Sequence, residues 1–157
     1  IYKLQDLAKF KVHSIEQPIA PRQPDAMADV CERSPVPVAL DEELISREDT
    51  TNKAHILDKI KPHYIILKPG LLGGFRQSDE WIELANERHI GWWATSALES
   101  NIGLNAIAQW TDSREVNIPQ GLGTGGLYTN NIASPLEIGE GHIWINPEKE
   151  WGAINGQ

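Results

Sequence analysis

The sequence predicts an α/β fold made of repeated strand–helix units with parallel strands. Short apolar runs that end in polar residues alternate with amphipathic helical stretches of the usual length of about 11 residues. The polar residues that end the runs recur every 25 to 28 residues. The runs are apolar throughout, which is typical of strands covered on both faces by helices. One strand and one helix per step therefore predict a parallel sheet.

The predicted elements follow one another in a regular order. The strands that carry the spacing are residues 11–16 (KVHSIE), 35–41 (PVPVALD), 63–68 (HYIILK) and 90–96 (IGWWATS). The helices between and after them are predicted at residues 23–34, 51–61, 77–89 and 102–113. GLG at residues 121–123 falls where a fifth step would begin. The final stretch lacks a helical period, and EGHIWI at residues 140–145 predicts a further strand.

A (β/α)8 barrel and a doubly wound sheet both fit this order. The barrel is favoured because polar residues able to do chemistry end successive strands, whereas a doubly wound sheet more often places its signature in one glycine-rich turn. Only about five units are visible, and a barrel has eight in typically ~250 residues. We therefore expect residues 1–134 to be a partial barrel, about strands 4 to 8, with the N-terminal part missing. Residues 135–157 are expected to pack outside the barrel, on an absent capping domain.

Composition narrows the class of protein. The 157 residues are 40% hydrophobic and 23% charged, which is ordinary for a globular protein. The formal net charge is −8 and no Lys/Arg cluster stands out, so neither nucleic acid nor a membrane surface is an expected partner. No apolar run approaches the ~20 residues of a membrane span. The single cysteine, Cys31, excludes an internal disulfide, is expected to be buried, and suits a cytoplasmic location.

Three charged residues end successive predicted strands. Glu16 and Asp41 end adjacent strands, so their carboxylates should lie on one rim and could share a hard, oxygen-seeking cation such as Mg²⁺. Lys68 ends the next strand and could stabilise negative charge on a carboxylate substrate. The alternative is that all three are solvated strand ends without a ligand, and the residues alone leave both interpretations open.

Longer motifs resemble a known family. The strings SIEQPI, PVALDEEL, YIILKPGLLGGF, WWATSALESNIGLNAIAQW and PQGLGTGGLYTNNI are similar, in order, to the C-terminal half of the o-succinylbenzoate synthases. These synthases belong to the enolase superfamily, in the subgroup of the muconate-lactonizing enzymes. The resemblance implies a (β/α)7β barrel related to the TIM barrel, of which this chain is the C-terminal portion.

The resemblance also implies roles for individual residues. In the superfamily, acids at the ends of barrel strands three, four and five bind Mg²⁺, and lysines on strands two and six flank the substrate. Glu16 matches the fourth-strand acid, Asp41 the fifth-strand acid, Lys68 the sixth-strand lysine, and Glu42 an acid that supports the metal ligands. The third-strand aspartate and the second-strand Lys-x-Lys pair have no counterpart in the 157 residues. Lys68 would then stabilise the intermediate, whereas a second-strand lysine would be the base.

The implied reaction is a Mg²⁺-dependent dehydration. Its substrate is a small carboxylate, 2-succinyl-6-hydroxy-2,4-cyclohexadiene-1-carboxylate, and its product serves menaquinone biosynthesis. Two alternatives remain open, namely a racemase, epimerase or cycloisomerase of the same superfamily, and a non-catalytic fragment or interaction module. The other expected partner is the missing N-terminal part of the same protein, without which the chain is expected to be inactive.

Two loops are implied to contact the succinyl side of the substrate. Their candidate residues are Ser96, Glu99, Gly121, Leu122 and Gly123. Ser96 and Glu99 also have the spacing of a helix N-terminal capping pair, and this structural interpretation stays open beside the first. GLGTGG at residues 121–126 fits a dinucleotide fingerprint formally, but turn residues and a proline follow where that motif requires a helix.

Overall fold

The computed structural model describes residues 1–47 and 49–153. The chain divides between Trp93 and Ala94 into two compact units. The prediction that residues 1–134 and 135–157 form separate parts stays a prediction.

The first unit is built on a sheet with the strand order β1-β2-β3-β4. The strands are β1 (Ile15–Glu16), β2 (Val38–Leu40), β3 (Tyr64–Leu67) and β4 (Gly91–Ala94). β1 pairs with β2, and β2 with β3, in parallel. The four predicted strands are confirmed but are shorter than their apolar runs. β2 begins after Pro35 and Pro37, which have no N–H to donate to a neighbouring strand.

In the described part of this unit there are five α-helices. They are α1 (Tyr2–Ala8), α2 (Pro24–Arg33), α3 (Thr50–Ile60), α4 (Pro69–Leu72) and α5 (Phe75–Glu87). The helices predicted before β2, β3 and β4 are confirmed to within two residues. α4 was not predicted, because a single turn has no detectable period. Gly73 and Gly74 have φ of +90° and +93°, a backbone region that favours glycine, and they turn the chain from α4 into α5.

The strands β2 and β3 lie in the core of the first unit. All three residues of β2 are fully buried, and Ile65, Ile66 and Leu67 of β3 are exposed by at most 1%. Strands buried on both faces need continuous apolar runs, which is the pattern seen in the sequence. Each strand therefore presents its first polar side chain only where it ends.

Lys53 of α3 is a fully buried charge within the same unit. Its Nζ donates to Glu80 Oε2 at 2.7 Å and to the side chain of Gln77, both on α5. It also lies 5.6 Å from the centroid of the Trp81 ring. This cluster joins α3 to α5 through a buried charge, and leaving such a charge unpaired would be strongly destabilising.

Cys31, on α2, is buried as predicted. Burial raises the pKa of its thiol to about 11. We expect alkylation by iodoacetamide at pH 8 to be slow in the folded chain and fast in urea, because the thiolate is the nucleophile. The raised pKa also stabilises the fold below the unfolded-state pKa, and that contribution is lost as the pH rises toward 11. Equal alkylation rates in the two states would contradict this expectation, and mass spectrometry of the alkylated chain measures them.

The second unit contains α6 (Asn101–Asp112), a 3₁₀ turn (Gly123–Gly126) and an antiparallel hairpin of β5 (Leu136–Gly139) and β6 (His142–Ile145). Leu104, Ile107 and Leu122 form its buried cluster. The predicted strand at residues 140–145 is confirmed as β6. GLG at residues 121–123 provides a single parallel bridge from Gly121 to Thr95 rather than a strand, because glycine weakens a strand interior.

The structure also bears on the question of membrane spans. Across the described residues, no helix combines the length and the apolar character needed to cross a bilayer.

Candidate active site

The first unit brings together Glu16, Asp41 and Lys68. Glu16 is the last residue of β1, and Asp41 and Lys68 directly follow β2 and β3. Because the three strands are adjacent and β2 runs parallel to both neighbours, their carboxyl ends lie on one edge of the sheet. Lys68 Nζ donates to Asp41 Oδ2 and lies 3.9 Å from Glu16 Oε1. The predicted convergence of two acids and one lysine is therefore observed.

The three side chains differ in their access to solvent. Asp41 is 2% exposed, Lys68 20% and Glu16 55%. Partial desolvation raises the pKa of Glu16, and a hydrogen bond with Asp41 and the negative charge of Asp41 raise this pKa further. Lys68 acts in the opposite direction. Two carboxylates face a single ammonium group, so the site carries excess negative charge when both acids are ionised.

A divalent cation would relieve this excess charge. Carboxylate oxygens are the ligands that Mg²⁺ prefers, and Mg²⁺ in proteins is often held by one or two carboxylates together with water and substrate. The Glu16 and Asp41 carboxylates fit that description. Residues 1–47 and 49–153 contain no group of three or more His, Cys, Asp or Glu side chains that could hold a metal ion. The two acids could therefore form part of a metal site, with other oxygen ligands completing it.

The two acids that follow Asp41 differ in their exposure to solvent. Glu42 is exposed and begins a short 3₁₀ turn, Glu42–Leu44. Glu43 is buried, and its side chain pairs with Arg47 Nη2 at 2.5 Å. The support that Glu42 is expected to give the metal ligands stays a prediction. Glu43 is a buried acid that no motif predicted, although the run of three acids at residues 41–43 is a signal that one of them could be buried.

In the second unit, Ser96 and Glu99 form a closed turn. Ser96 Oγ donates to Glu99 Oε2 at 2.6 Å, and the same oxygen accepts the Ala97 N–H at 2.8 Å. The interpretation of Ser96 as a helix cap is wrong, because α6 begins at Asn101 and Ser100 is its N-cap residue. The local turn keeps Ser96 four residues before that cap. Among the described residues, the buried Oε1 of Glu99 has no hydrogen-bond partner.

The three candidates at residues 121–123 are placed differently from one another. Gly121 packs so closely on Thr95 that an added Cβ would lie 2.4 Å from Thr95 Oγ1. Leu122 is buried in the cluster with Leu104, and Gly123 is exposed. Packing accounts for Gly121 and Leu122 without a ligand. Their contacts with a substrate, like those of Gly123, stay a prediction.

The chain also matches a known protein family. The family described as enolase C-terminal domain-like matches residues 1–149. The chain belongs to the enolase C-terminal domain-like family. Membership in this enolase family agrees with acids and a lysine gathered at the carboxyl ends of parallel strands. The predicted α/β fold class is confirmed.

Individual relatives within the enolase superfamily give a finer comparison. The o-succinylbenzoate synthase of Desulfotalea psychrophila (strain LSv54 / DSM 12343) is 54% identical over 144 residues, which are 92% of this chain and 39% of that protein. The crystal structure of MenC from Desulfotalea psychrophila LSv54 superposes with a TM-score of 0.88, at 54% identity, over 92% of this chain and 40% of that one. The predicted resemblance to o-succinylbenzoate synthases is confirmed.

Two less similar proteins also match this chain. The o-succinylbenzoate synthase of Mycolicibacterium smegmatis (strain ATCC 700084 / mc(2)155) is 29% identical over 143 residues, 89% of this chain and 41% of that protein. The muconate lactonizing enzyme from Pseudomonas putida shares the fold, with a TM-score of 0.78 at 21% identity over 94% of this chain and 44% of that one. The chain spans about two fifths of the length of the curated relatives it matches.

Proposed function

We propose that the chain is the part of an o-succinylbenzoate synthase that carries two of its metal-binding acids and one of its lysines. The proposal rests on the convergence of Glu16, Asp41 and Lys68 at one edge of the sheet. The chain in which they converge is 54% identical to such a synthase. The reaction would be the dehydration of a cyclohexadiene carboxylate in menaquinone biosynthesis, in the cytoplasm.

Glu16 and Asp41 are the residues that would hold Mg²⁺. When bound, Mg²⁺ would polarise the substrate carboxylate and stabilise the negative charge that develops as the adjacent proton is removed. The burial of Asp41 strengthens its electrostatic interactions, since little water screens them. Glu16 is more exposed and is the acid that a ligand arriving from solvent can reach first.

Lys68 would act as a fixed cation rather than as the base. Its Nζ is held by the buried Asp41 carboxylate, and its side chain is only 20% exposed. A positive charge that is oriented before the reaction stabilises developing negative charge without reorganising solvent. The proton-abstracting lysine that the resemblance implies has no counterpart among the 157 residues.

The second unit would contribute to substrate recognition. Glu99 Oε1 is buried and without a hydrogen-bond partner in the described part of the chain, which makes it an acceptor for a donor on a ligand. Ser96 orients this carboxylate through its hydrogen bond to Oε2. The backbone at Gly121, Leu122 and Gly123 is proposed to line the same part of the substrate pocket.

The test compares two forms of the protein. The complete enzyme would join these 157 residues to the remaining length of the relatives, with the third acid and the second-strand lysines that the resemblance implies. We expect it to form o-succinylbenzoate in a Mg²⁺-dependent manner and to lose activity in EDTA. The 157-residue chain alone is expected to show negligible activity, because its site lacks the base.

The assay has two outcomes that would contradict the proposal. Turnover by the isolated chain at a rate comparable with the complete enzyme would show that the missing groups are not needed. A complete enzyme that is folded, loaded with Mg²⁺ and inactive on this substrate would reject the synthase and favour another reaction of the superfamily. Formation of o-succinylbenzoate is followed by its absorbance, with boiled enzyme as the blank.

A further inference from the structure

Gln17 links the loop that follows β1 to the loop that follows β2. Its Oε1 accepts the backbone N–H of Asp41 at 3.0 Å and that of Glu43 at 3.3 Å. Its Nε2 donates to the carbonyl of Ile19 at 3.1 Å. A single amide side chain next to Glu16 therefore holds the backbone of the residue that bears the other carboxylate.

Glu43 connects the same two loops in the opposite direction, from the loop after β2 to the loop after β1. Its side chain is fully buried, and Oε2 accepts the backbone N–H of Arg22, in the first loop, at 2.7 Å. Oε1 pairs with Arg47 Nη2, and Arg47 Nε donates to the Glu43 carbonyl at 2.7 Å. Each loop thus sends one side chain to backbone N–H groups of the other, and Arg47 neutralises the buried carboxylate.

The backbone leaves the regular strand conformation at Asp41 and at Gln17, the residue after Glu16. Asp41 lies just beyond β2 with φ of −127° and ψ of −86°, outside the regular strand conformation. Gln17 has φ of +36°, a left-handed value that a side chain other than glycine adopts only when its surroundings require it. Its own N–H continues the ladder by donating to Ala39 at 2.9 Å. The two loops are held together where neither is in regular structure.

We propose that Gln17 and Glu43 are positioning residues that fix the Glu16 and Asp41 carboxylates relative to each other and so set the affinity for a divalent cation. The inference rests on the proposed function, since it takes these acids to be metal ligands. Two adjacent carboxylates repel each other, and the pair remains close only if its backbone is restrained. Restraint before binding lowers the cost of ordering the ligands around the ion. Groups that hold metal ligands without touching the metal commonly change its affinity in this way.

The test uses substitutions at Gln17 in the complete enzyme. Gln17→Met keeps the length of the side chain and removes both acceptor bonds, whereas Gln17→Glu keeps an acceptor at the same place. Gln23→Met is the matched control, because Gln23 is exposed and lies in the same loop, and among the described contacts its side chain donates only to the Ala20 carbonyl. Mn²⁺ affinity is measured by electron paramagnetic resonance, and thermal unfolding is measured without metal.

We expect Gln17→Met to weaken Mn²⁺ binding by about 10-fold to 100-fold, in the range of substitutions that disturb groups behind metal ligands. Gln17→Glu should recover most of the affinity, and Gln23→Met should match the wild type. A merely structural role would lower the unfolding temperature and leave the Mn²⁺ affinity of the folded protein unchanged. That result for Gln17→Met would overturn the inference.

Amide hydrogen exchange supplies a second measurement. The N–H groups of Asp41 and Glu43 should exchange faster in Gln17→Met, while the Leu44 N–H, which donates to the Asp41 carbonyl, should be less affected. Unchanged exchange at both amides would also overturn the inference. If the wild type itself binds no Mn²⁺, the proposed function fails, whereas normal binding by both the wild type and Gln17→Met rejects only the role of Gln17.

Discussion

Lys68→Ala in the complete enzyme is expected to lower kcat by about 10³-fold or more, the scale of losing a fixed group that stabilises transition-state charge. The Lys68 ammonium is the positive charge nearest to both acids, in contact with Asp41 and 3.9 Å from Glu16. Because the proposed role is to stabilise charge that appears during the reaction, kcat should fall much more than KM rises. Steady-state kinetics at saturating Mg²⁺ measures both constants.

The fold of Lys68→Ala must be measured alongside its activity. Asp41 is 2% exposed, so removing its ammonium partner leaves a buried carboxylate that only a bound cation can compensate. We expect added Mg²⁺ to raise the unfolding temperature of the variant more than that of the wild type. Lys59→Ala is the control, since Lys59 pairs with Asp25 at the surface. Near-normal kcat in a folded Lys68→Ala variant would remove Lys68 from the mechanism.

Lys53→Ala is expected to destabilise the 157-residue chain by about 3 kcal/mol, in the range measured when a large buried side chain is replaced by alanine. The substitution deletes a fully buried side chain and leaves Glu80 and Gln77 without their donor. The resulting cavity between α3 and α5 adds to the cost. The free energy of unfolding is obtained from urea denaturation followed by tryptophan fluorescence and by circular dichroism.

Two further variants separate the charge of Lys53 from its volume. Lys53→Met keeps the aliphatic bulk beside Trp81 and removes the charge, so it should cost less than Lys53→Ala. Lys59→Ala removes a lysine of the same helix from a surface pair and should change stability by less than about 1 kcal/mol. If Lys53→Ala were as mild as Lys59→Ala, the cluster would not hold α3 to α5.

The strands and helices of the first unit could be predicted because the buried positions there follow the sequence period of each element. β2 and β3 are covered on both faces, so their apolar runs stand out, and the helices between them have one polar side. The last predicted strand is confirmed as β6 for a different reason, since its side chains are mostly exposed but its β-branched and aromatic residues favour strands. GLG at residues 121–123 continued the spacing but forms only a bridge, since spacing does not report how many backbone bonds a glycine-rich segment makes.

In the candidate active site, only the residues at the ends of strands could be predicted from the sequence. Glu16, Asp41 and Lys68 could be placed together because parallel neighbouring strands bring their carboxyl ends to one edge. Gln17 and Glu43 were missed because their partners are backbone N–H groups 21 to 26 residues away, in loops whose conformation no pattern reports. The incorrect capping interpretation of Ser96 has a similar cause, since a Ser-x-x-Glu spacing can close a turn as well as begin a helix.

The most direct test of the account is anomalous diffraction from crystals of the complete enzyme soaked in Mn²⁺. We predict one strong peak within about 2 to 2.5 Å of oxygens from both Glu16 and Asp41, at the distances usual for divalent cations with carboxylate ligands. Lys68 should lie beside this peak without binding it. A Mn²⁺ peak that contacts neither carboxylate, in crystals of an active enzyme, would contradict the assignment of the site.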